Sequence, residues 1–240
     1  MHKKKTLITI SHYQSRPKKP LFDLVSSLRD QDCDLLVVVN SDAVNGIEHF
    51  EFPNCIECVV RANTGMNIGS WDCAFKLFPT YDYYIFLQDE CILNNHKLFP
   101  AYLDKLDNKN IGMIGDSTNP KWNRSWNDIS KTQLNYIVGK DELGNSVSRV
   151  DYYQAKMRGW GISPGLTGNH LRALSWAFAG DTLHKINGFP IGNSKEECIA
   201  AEISVSKSVE QLGLYIEQAH SHPFHFFRHS EWRLDGMGKI

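Results

Sequence analysis

The feature that most constrains the fold is a set of short runs in which apolar residues follow one another without alternation. Residues 34–40 read DLLVVVN and residues 83–87 read YYIFL, and residues 6–12 and 111–115 are further strand candidates. Such runs are typical of strands that are buried on both faces. Because segments with helical spacing separate them, the sequence predicts an α/β fold built on a mostly parallel, Rossmann-like sheet flanked by helices.

Helical spacing occurs in four segments, 21–29, 71–78, 99–106 and 195–212. The last is the clearest, because one apolar face is formed by Cys198, Ala201, Val205, Val209 and Leu212. Residues 117–168 differ, since they are polar, lack periodicity and are rich in Asn, Trp, Gly and Tyr. We therefore predict an irregular insert there, of the kind that often carries function.

Composition excludes several classes of protein. The 240 residues carry a formal net charge of -1, so no overall basic field is available for nucleic acid. No apolar stretch reaches the roughly 20 residues of a membrane-spanning helix, and no signal peptide is visible. The six cysteines are scattered in mostly apolar contexts, which is typical of reduced thiols in a cytoplasmic protein.

Polar residues follow the predicted strands at the points where parallel sheets bind ligands, beyond the carboxyl ends of the strands. These residues are His12, Tyr13, Ser41, Asp42, Asn63, Asp89 and Glu90. The adjacent carboxylates of Asp89 and Glu90 are of the type that holds a hard divalent cation, which would neutralise a diphosphate. The alternative is an ordinary acidic turn at the end of a strand.

Residues 63–72, NTGMNIGSWD, combine glycines with side-chain amides. Gly65 and Gly69 would let the backbone approach a ligand closely, and amides can serve sugar hydroxyls. A helix that starts near Ser70 would offer backbone N–H groups to an anion. The alternative is a glycine-rich connection between a strand and a helix, with Ser70 as the cap.

Two further groups could supply acid–base or metal chemistry. The segment 195–212 carries four glutamates, Glu196, Glu197, Glu202 and Glu210. Among them Glu202 flanks the apolar face, where a general base can meet a cleft. Residues 220–232 carry His220, His222, His225 and His229, and imidazole is a common metal ligand. The alternatives are solvated glutamates and histidines that pack into the fold.

The order of these features along the chain resembles that in GT-A nucleotide-sugar glycosyltransferases, especially family 2 and the rhamnan-synthesis-type enzymes of bacterial polysaccharides. Residues 63–69 resemble the N-x-G-x-D-I-G motif, with Asn67 where Asp is usual. Residues 86–90, FLQDE, are similar to the metal-binding D-x-D region, with Gln88 and Glu90 where Asp is expected. The resemblance runs over most of the chain and rests on the order of these motifs.

The resemblance implies a donor site, a metal site and a general base. For the nucleotide sugar it implies Asp42, Asn63, Gly65, Asn67, Gly69 and Asp72, with Asp72 compensating for Asn67. For Mg2+ or Mn2+ on the diphosphate it implies Asp89, Glu90, His222 and His225. Ala201-Glu202 resembles the pair whose second member is the catalytic base, so Glu202 is implied, with Glu197 as the second candidate.

The resemblance also implies one GT-A-like domain over residues 1–240, with a nucleotide-sugar-binding half at 1–116 and an acceptor-side half with the His-rich tail at 117–240. The expected activity is inverting transfer of a hexose or deoxyhexose from a nucleotide diphosphate donor to a saccharide hydroxyl, in bacterial surface polysaccharide synthesis. The expected partners are the donor and the acceptor, without nucleic acid. The expected location is the cytoplasm, and peripheral association with the inner face of the membrane or with a polysaccharide synthase fits that role.

Other classes of protein remain open at this point. A non-catalytic GT-A-like module that binds a sugar or a nucleotide would account for Asn67 and Gln88. A metal hydrolase would use histidines of residues 220–229 with carboxylates, and it would bind metal but no nucleotide. A sugar nucleotidyltransferase is a nearer rival, but the basic glycine-rich loop expected after residues 6–12 is absent.

Overall fold

The computed structural model describes residues 4–53, 55–140 and 143–229, so residues 230–232 of the His-rich tail lie outside the described residues. The strands are β1 (Thr6–Tyr13), β2 (Asp34–Ser41), β3 (Ile47–Phe50), β4 (Glu57–Ala62), β5 (Tyr83–Gln88), β6 (Cys91–Leu93), β7 (Ile111–Gly115), β8 (Ile137–Lys140), β9 (Ser146–Ser148), β10 (Ser175–Ala179), β11 (Tyr215–Gln218) and β12 (Phe227–His229). The helices are α1 (Lys18–Leu28), α2 (Met66–Leu77), α3 (Leu98–Leu106), α4 (Trp126–Ser130), α5 (Arg149–Gly159), α6 (Gly180–Ile186) and α7 (Lys195–Gln211).

A mixed sheet of eight strands forms the centre of the fold, in the order β11-β7-β10-β5-β1-β2-β4-β3. The pairs β5–β1, β1–β2, β2–β4 and β7–β11 are parallel. Only β10, inserted between β5 and β7, and the edge strand β3 run antiparallel to their neighbours. The predicted α/β fold with a mostly parallel sheet flanked by helices is therefore confirmed.

Apolar side chains on both faces of the sheet explain the continuous apolar runs in the sequence. On one face, Ile8 and Ile10 of β1 pack against buried residues of α1 and α3. On the other face, Leu7 of β1 packs with Trp71 of α2 and Val205 of α7. Burial of apolar surface on both faces stabilises a strand that has no solvated side.

The insert between β7 and β10 contains the short elements α4, β8, β9 and α5, joined by loops. Its own apolar cluster includes Trp122, Trp126, Tyr153 and Met157, and it packs against Ile203 of α7. The insert is thus fixed to the same helix that carries Glu202. Within the described residues, no helix has the length and apolar character required to span a membrane.

Candidate active site

The carboxyl ends of β1, β2, β4 and β5 surround a cavity of about 210 Å³, which we call the edge cleft. Its walls are formed by Tyr13, Arg16, Asn40, Asn63, Met66, Asn67 and Asp89. Parallel strands end at the same edge of a sheet, so residues far apart in sequence meet there. Three of the predicted site residues, Asn63, Asn67 and Asp89, line this one cleft.

Asp42 and Asn63 are held together beside the edge cleft. The Asp42 carboxylate accepts hydrogen bonds from the Tyr13 hydroxyl and, at 3.0 Å, from the Asn63 side-chain amide. These two hydrogen bonds lower the pKa of Asp42, whose side chain faces solvent. The arrangement presents an ionised carboxylate at the end of β2, where it can accept hydrogen bonds from a nucleotide base or from ribose hydroxyls.

The glycine-rich segment forms the start of α2 rather than a turn before it. The helix begins at Met66, five residues before the predicted start at 71, with Gly65 in the left-handed conformation at φ 76° as its N-cap. A Cβ atom on Gly69 would lie 1.9 Å from the Thr64 carbonyl oxygen. Asn67 accepts a hydrogen bond of 2.7 Å from the Ser11 hydroxyl and so ties the helix to β1. Gly69 is thus required by packing, and Ser70, which the alternative interpretation made the helix cap, lies inside α2.

Asp72 is engaged away from the edge cleft. Its side chain is only 5% exposed, and one oxygen accepts the Phe189 N–H at 2.9 Å. The other oxygen accepts a hydrogen bond from Lys76 at 2.6 Å. Asp72 therefore joins α2 to the turn at Gly188, where an added Cβ would lie 2.4 Å from the carboxylate. The structure does not bring Asp72 to the predicted donor site, so compensation for Asn67 has no geometric support.

Asp89 and Glu90 are held by basic side chains from three parts of the chain. The Asp89 carboxylate is 3% exposed and lies 2.5 Å from His12 Nδ1. Glu90 is bound by Arg16 and, at 2.8 Å, by His229 Nε2. Burial opposes ionisation of Glu90, but the hydrogen bonds from His229 and Arg16 outweigh it and lower its pKa. Both carboxyl groups thus lie beside cationic or imidazole partners that the sequence did not pair with them.

The four predicted metal ligands are not brought together. The ring of His225 stacks on His220 with centroids 3.8 Å apart and lies 3.0 Å from the Asn95 side chain, while His222 is exposed. Strand β12 pairs antiparallel with β6 and places His229 opposite Cys91, next to Glu90. The prediction of His222 and His225 is corrected by this register, because the later histidine reaches the acidic pair. No sequence signal in the tail distinguishes His229 from the other three.

The described residues do not fit a divalent cation at Asp89 and Glu90. Residues 4–53, 55–140 and 143–229 contain no group of three or more His, Cys, Asp and Glu side chains placed to hold a metal ion. The Arg16 guanidinium lies between the two carboxylates, bound to Glu90 and 3.7 Å from Asp89. A positive charge from the chain itself therefore stands where a metal ion was predicted. Arg16 was missed by the sequence analysis, although it lies three residues after Tyr13 in the β1–α1 loop.

Glu202 is connected to the end of β5 through the backbone of one residue, Ala173. The Glu202 carboxylate accepts the Ala173 N–H at 2.8 Å, and the Gln88 side-chain amide donates to the Ala173 carbonyl. His170 Nε2 lies 4.0 Å from the same carboxylate oxygen, and 21% of the Glu202 side chain is exposed. Burial raises the pKa of Glu202, against the opposing effect of the Ala173 hydrogen bond. A carboxylate with a raised pKa and a partly open face is suited to accept a proton.

Glu197, the second candidate for the base, belongs to the cap of α7. Its carboxylate accepts a hydrogen bond from Lys156 at 2.5 Å and from the Asn193 N–H at 2.6 Å, while the Ser194 hydroxyl accepts the Glu197 N–H at 3.2 Å. The Ser194 hydroxyl is thus the N-cap of α7, and the Glu197 carboxylate binds the N–H of the residue before that cap. The hydrogen bond from Lys156 is the main cause that lowers the pKa of Glu197. The geometry assigns Glu197 a structural task and leaves Glu202 as the base candidate.

No protein-family model and no curated protein sequence matches the chain. Among solved structures it is similar to the mannosyltransferase PcManGT from Pyrobaculum calidifontis, in complex with GDP-Man and Mn2+, with a TM-score of 0.52 and 11% identity. That likeness covers 93% of this chain and 56% of the other, so this chain spans little more than half of that protein's length. A mycobacterial protein is similar at a TM-score of 0.45 and 12% identity, over 88% of this chain and 64% of the other. At such low identity the likeness to PcManGT shows the fold alone, and it confirms an α/β architecture of the GT-A type.

Proposed function

We propose that the protein is a glycosyltransferase that moves a hexosyl or deoxyhexosyl group from a nucleotide diphosphate sugar to a hydroxyl of a saccharide acceptor. The observation that carries the proposal is the link between two sites. The edge cleft, with Asn63 in its wall and Asp42 beside it, has the groups to bind a nucleotide, and Gln88 connects that edge through Ala173 to the carboxylate of Glu202. A donor site next to a general base is the minimum that such a transfer requires.

The donor would be bound by residues at the ends of β2 and β4. Asp42 would accept hydrogen bonds from the base or ribose, and the side-chain amide of Asn63 fixes its orientation. The N-terminus of α2, at Gly65 and Met66, would present backbone N–H groups to the diphosphate. Residues 1–116 would thus form the donor half of a single domain, as the resemblance to GT-A enzymes implies.

Charge on the leaving diphosphate would be stabilised by Arg16. Its guanidinium has five N–H donors in a fixed plane, so it can stay with Glu90 and still contact a phosphate oxygen. His229, bound to the same carboxylate, would hold Glu90 in place. The mechanism uses side chains of this protein for charge stabilisation, because the described residues do not form a metal site.

Glu202 would act as the general base. The proton of the acceptor hydroxyl moves to the Glu202 carboxylate as the hydroxyl oxygen forms a bond to the anomeric carbon. The bond between that carbon and the diphosphate oxygen breaks, and the nucleotide diphosphate leaves with the electron pair. Direct attack of this kind inverts the anomeric carbon. The insert and α7, within residues 117–240, would supply the acceptor side.

The resemblance to rhamnan-synthesis-type enzymes favours an acceptor in bacterial surface polysaccharide synthesis. The protein would then act in the cytoplasm, on a donor and a saccharide acceptor. Association with a membrane surface or a polysaccharide synthase is part of the same proposal, as is a single domain over residues 1–240.

The first experiment is a thermal-shift screen of the purified protein against a panel of nucleotide diphosphate sugars, with and without Mn2+. At a donor concentration of 100 times Kd, binding to the folded state adds about 2.7 kcal/mol to stability, which shifts the midpoint by several degrees. Asp42→Asn should abolish most of the shift, and Asp30→Asn, in an exposed position with 85% side-chain exposure, should retain it. A panel in which no sugar nucleotide stabilises the wild type would refute the proposal.

A non-catalytic sugar- or nucleotide-binding module is the second candidate. It is favoured by Asn67 and Gln88, which replace carboxylates of the motifs that the chain resembles. Such a module would pass the thermal-shift screen but would neither transfer nor hydrolyse a bound donor. The metal hydrolase alternative loses support, because the described histidines and carboxylates form no metal-binding group.

A further inference from the structure

His170 is a buried residue that the proposed mechanism does not use, although its ring faces the candidate base. It lies between α5 and β10, and its side chain is 2% exposed. Nδ1 lies 2.7 Å from the Gly168 carbonyl oxygen, and Nε2 lies 4.0 Å from a carboxylate oxygen of Glu202. Because a carbonyl oxygen only accepts hydrogen bonds, Nδ1 carries a hydrogen and donates it to Gly168.

The surroundings of the ring keep Nε2 without a proton. Burial lowers the pKa of His170 to about 4, against the opposing effect of the hydrogen bond to Gly168. Three cations lower it further, Lys207 from α7, Arg172 from the segment before β10 and Arg149 from α5. At neutral pH the ring is therefore neutral, with its hydrogen on Nδ1 and a lone pair on Nε2.

The carboxyl group of Glu202 takes up a proton more readily than this ring does. Burial raises the pKa of Glu202 above its ordinary value of 4.5, and this effect is larger than the opposing effects of Ala173, Arg172 and Arg149. Since the pKa of His170 is about 4, a falling pH protonates Glu202 first. The pair therefore passes through a state in which a neutral carboxylic acid faces a neutral imidazole.

In that state the two groups can form a hydrogen bond that the ionised carboxylate cannot. A carboxylate and a lone pair are both acceptors, whereas a protonated carboxyl group is a donor. The Asn119 side-chain amide lies 3.5 Å from Nε2, the outer limit of a hydrogen bond, so it engages the lone pair weakly. Rotation about the last torsion of a glutamate is soft, and 21% of the Glu202 side chain is exposed. The carboxyl group can thus move from 4.0 Å to the roughly 2.8 Å of a hydrogen bond.

We propose that His170 is a positioning residue: its Nε2 accepts a hydrogen bond from the Glu202 carboxyl group once that group has taken the proton of the acceptor hydroxyl. The inference rests on the proposed role of Glu202 as the general base. The proton stays on Glu202, and His170 neither gains nor loses one. Because the hydrogen bond forms only with the protonated carboxyl group, it favours proton uptake and makes Glu202 a stronger base.

The first test follows the titration of the Glu202 carboxyl group by carbon-13 NMR, which needs no activity. His170→Phe keeps a ring beside Trp122 and removes the lone pair, so the midpoint should fall by about one pH unit, the usual effect of one hydrogen bond. His170→Gln offers an amide N–H to the ionised form, so the midpoint should fall further. His96→Phe, at an exposed position, is the matched control and should leave the midpoint unchanged.

The sign of the shift separates a hydrogen bond from simple exclusion of water. A phenylalanine ring excludes water at least as well as an imidazole ring does. If His170 acted only in this way, the midpoint of Glu202 in His170→Phe would stay the same or rise. Either result would overturn the proposal.

Nitrogen-15 NMR of the wild type gives a readout that does not depend on any variant folding. His170 Nε2 should be unprotonated at neutral pH, and its resonance should shift with the same midpoint as the Glu202 carboxyl group. A proton on Nε2 at neutral pH would overturn the proposal, and so would a resonance that does not respond when Glu202 is protonated.

Initial-rate pH profiles distinguish a failure of this proposal from a failure of the proposed function. The fall in transfer rate at low pH should move down by the same one unit or so in His170→Phe and should not move in His96→Phe. A Glu202→Gln protein with the wild-type rate would refute the base, and with it the proposed mechanism. If Glu202→Gln is impaired but the profile of His170→Phe keeps its wild-type position, only the role of His170 is wrong.

Discussion

Asp116 offers a sharp test of how burial controls the stability of this fold. The residue follows β7, is 1% exposed, and accepts the N–H groups of Phe226 and Phe227 at 3.3 and 2.8 Å. Burial raises its pKa to about 7, against the opposing effect of those two hydrogen bonds. Between pH 3.8, the ordinary pKa of the group, and about pH 7, the carboxyl group is thus protonated in the folded protein and ionised in the unfolded chain.

The sign of the effect follows from proton linkage. Where the folded state binds more protons than the unfolded state, stability falls as pH rises, by about 1.4 kcal/mol per pH unit. The two units between pH 5 and pH 7 therefore cost the wild type about 3 kcal/mol, and the loss levels off above pH 7. Asp116→Asn does not titrate, and like the protonated acid it keeps one oxygen for the Phe227 N–H. The free energy of unfolding of the variant, relative to that of the wild type, should thus rise by about 3 kcal/mol between pH 5 and pH 8.

Urea unfolding of both proteins at pH 5 and pH 8 measures this difference directly. The quantity compared is how the stability difference between the variant and the wild type changes with pH, so any effect of the amide group that is independent of pH cancels. Asp30→Asn, at an exposed site, is the matched control and should show no such change. If the stability difference between Asp116→Asn and wild type stays constant within about 0.5 kcal/mol from pH 5 to pH 8, the account of a buried, protonated Asp116 is wrong.

Three further predictions concern the active site and the start of α2. Glu202→Gln should lower the transfer rate by about 10²- to 10⁴-fold, and Glu197→Gln should lower it by less than tenfold. Initial-rate pH profiles should show the wild-type rate falling as pH drops through the raised pKa of Glu202. A Glu202→Gln protein that transfers sugar at the wild-type rate would contradict the role of Glu202 as the base. Excess EDTA should leave the transfer rate unchanged while Arg16→Ala lowers it about 100-fold, and a reaction that stops in EDTA would contradict the role of Arg16. Gly69→Ala should destabilise the protein by about 3 kcal/mol in urea unfolding, because its Cβ would meet the Thr64 carbonyl. Gly159→Ala is the control, since the space around Gly159 is open, and it should change stability by no more than about 1 kcal/mol. Equal effects of the two substitutions would refute the packing argument.

The strands of the sheet could be predicted where burial requires apolar side chains. Strands β1, β2, β5 and β7 were all predicted, and β2 and β5 were visible as apolar runs because both of their faces are covered. The position of β10 between β5 and β7, antiparallel to both, was not visible. Strand order depends on backbone hydrogen bonds between distant segments, and these bonds carry no side-chain signature.

The start of α2 was misplaced for a local reason. Gly65 and Gly69 are typical of a turn, so the sequence indicated a helix only from residue 71. In the structure Gly65 caps the helix and Gly69 lies inside it, where the Thr64 carbonyl leaves no room for a side chain. A glycine selected for close packing and a glycine selected for a turn are the same residue in a sequence.

The sequence by itself determined the α/β class and the edge of the sheet where Asp42, Asn63 and Asp89 meet, because parallel strands that end in polar residues place those residues at one edge. Only the tertiary structure decided the partners of these groups. The register of β12 on β6 brings His229 to Glu90, and the path of the β1–α1 loop brings Arg16 between the carboxylates. Such contacts join segments more than 70 residues apart, and their geometry is set by the packing of the whole fold rather than by any local pattern.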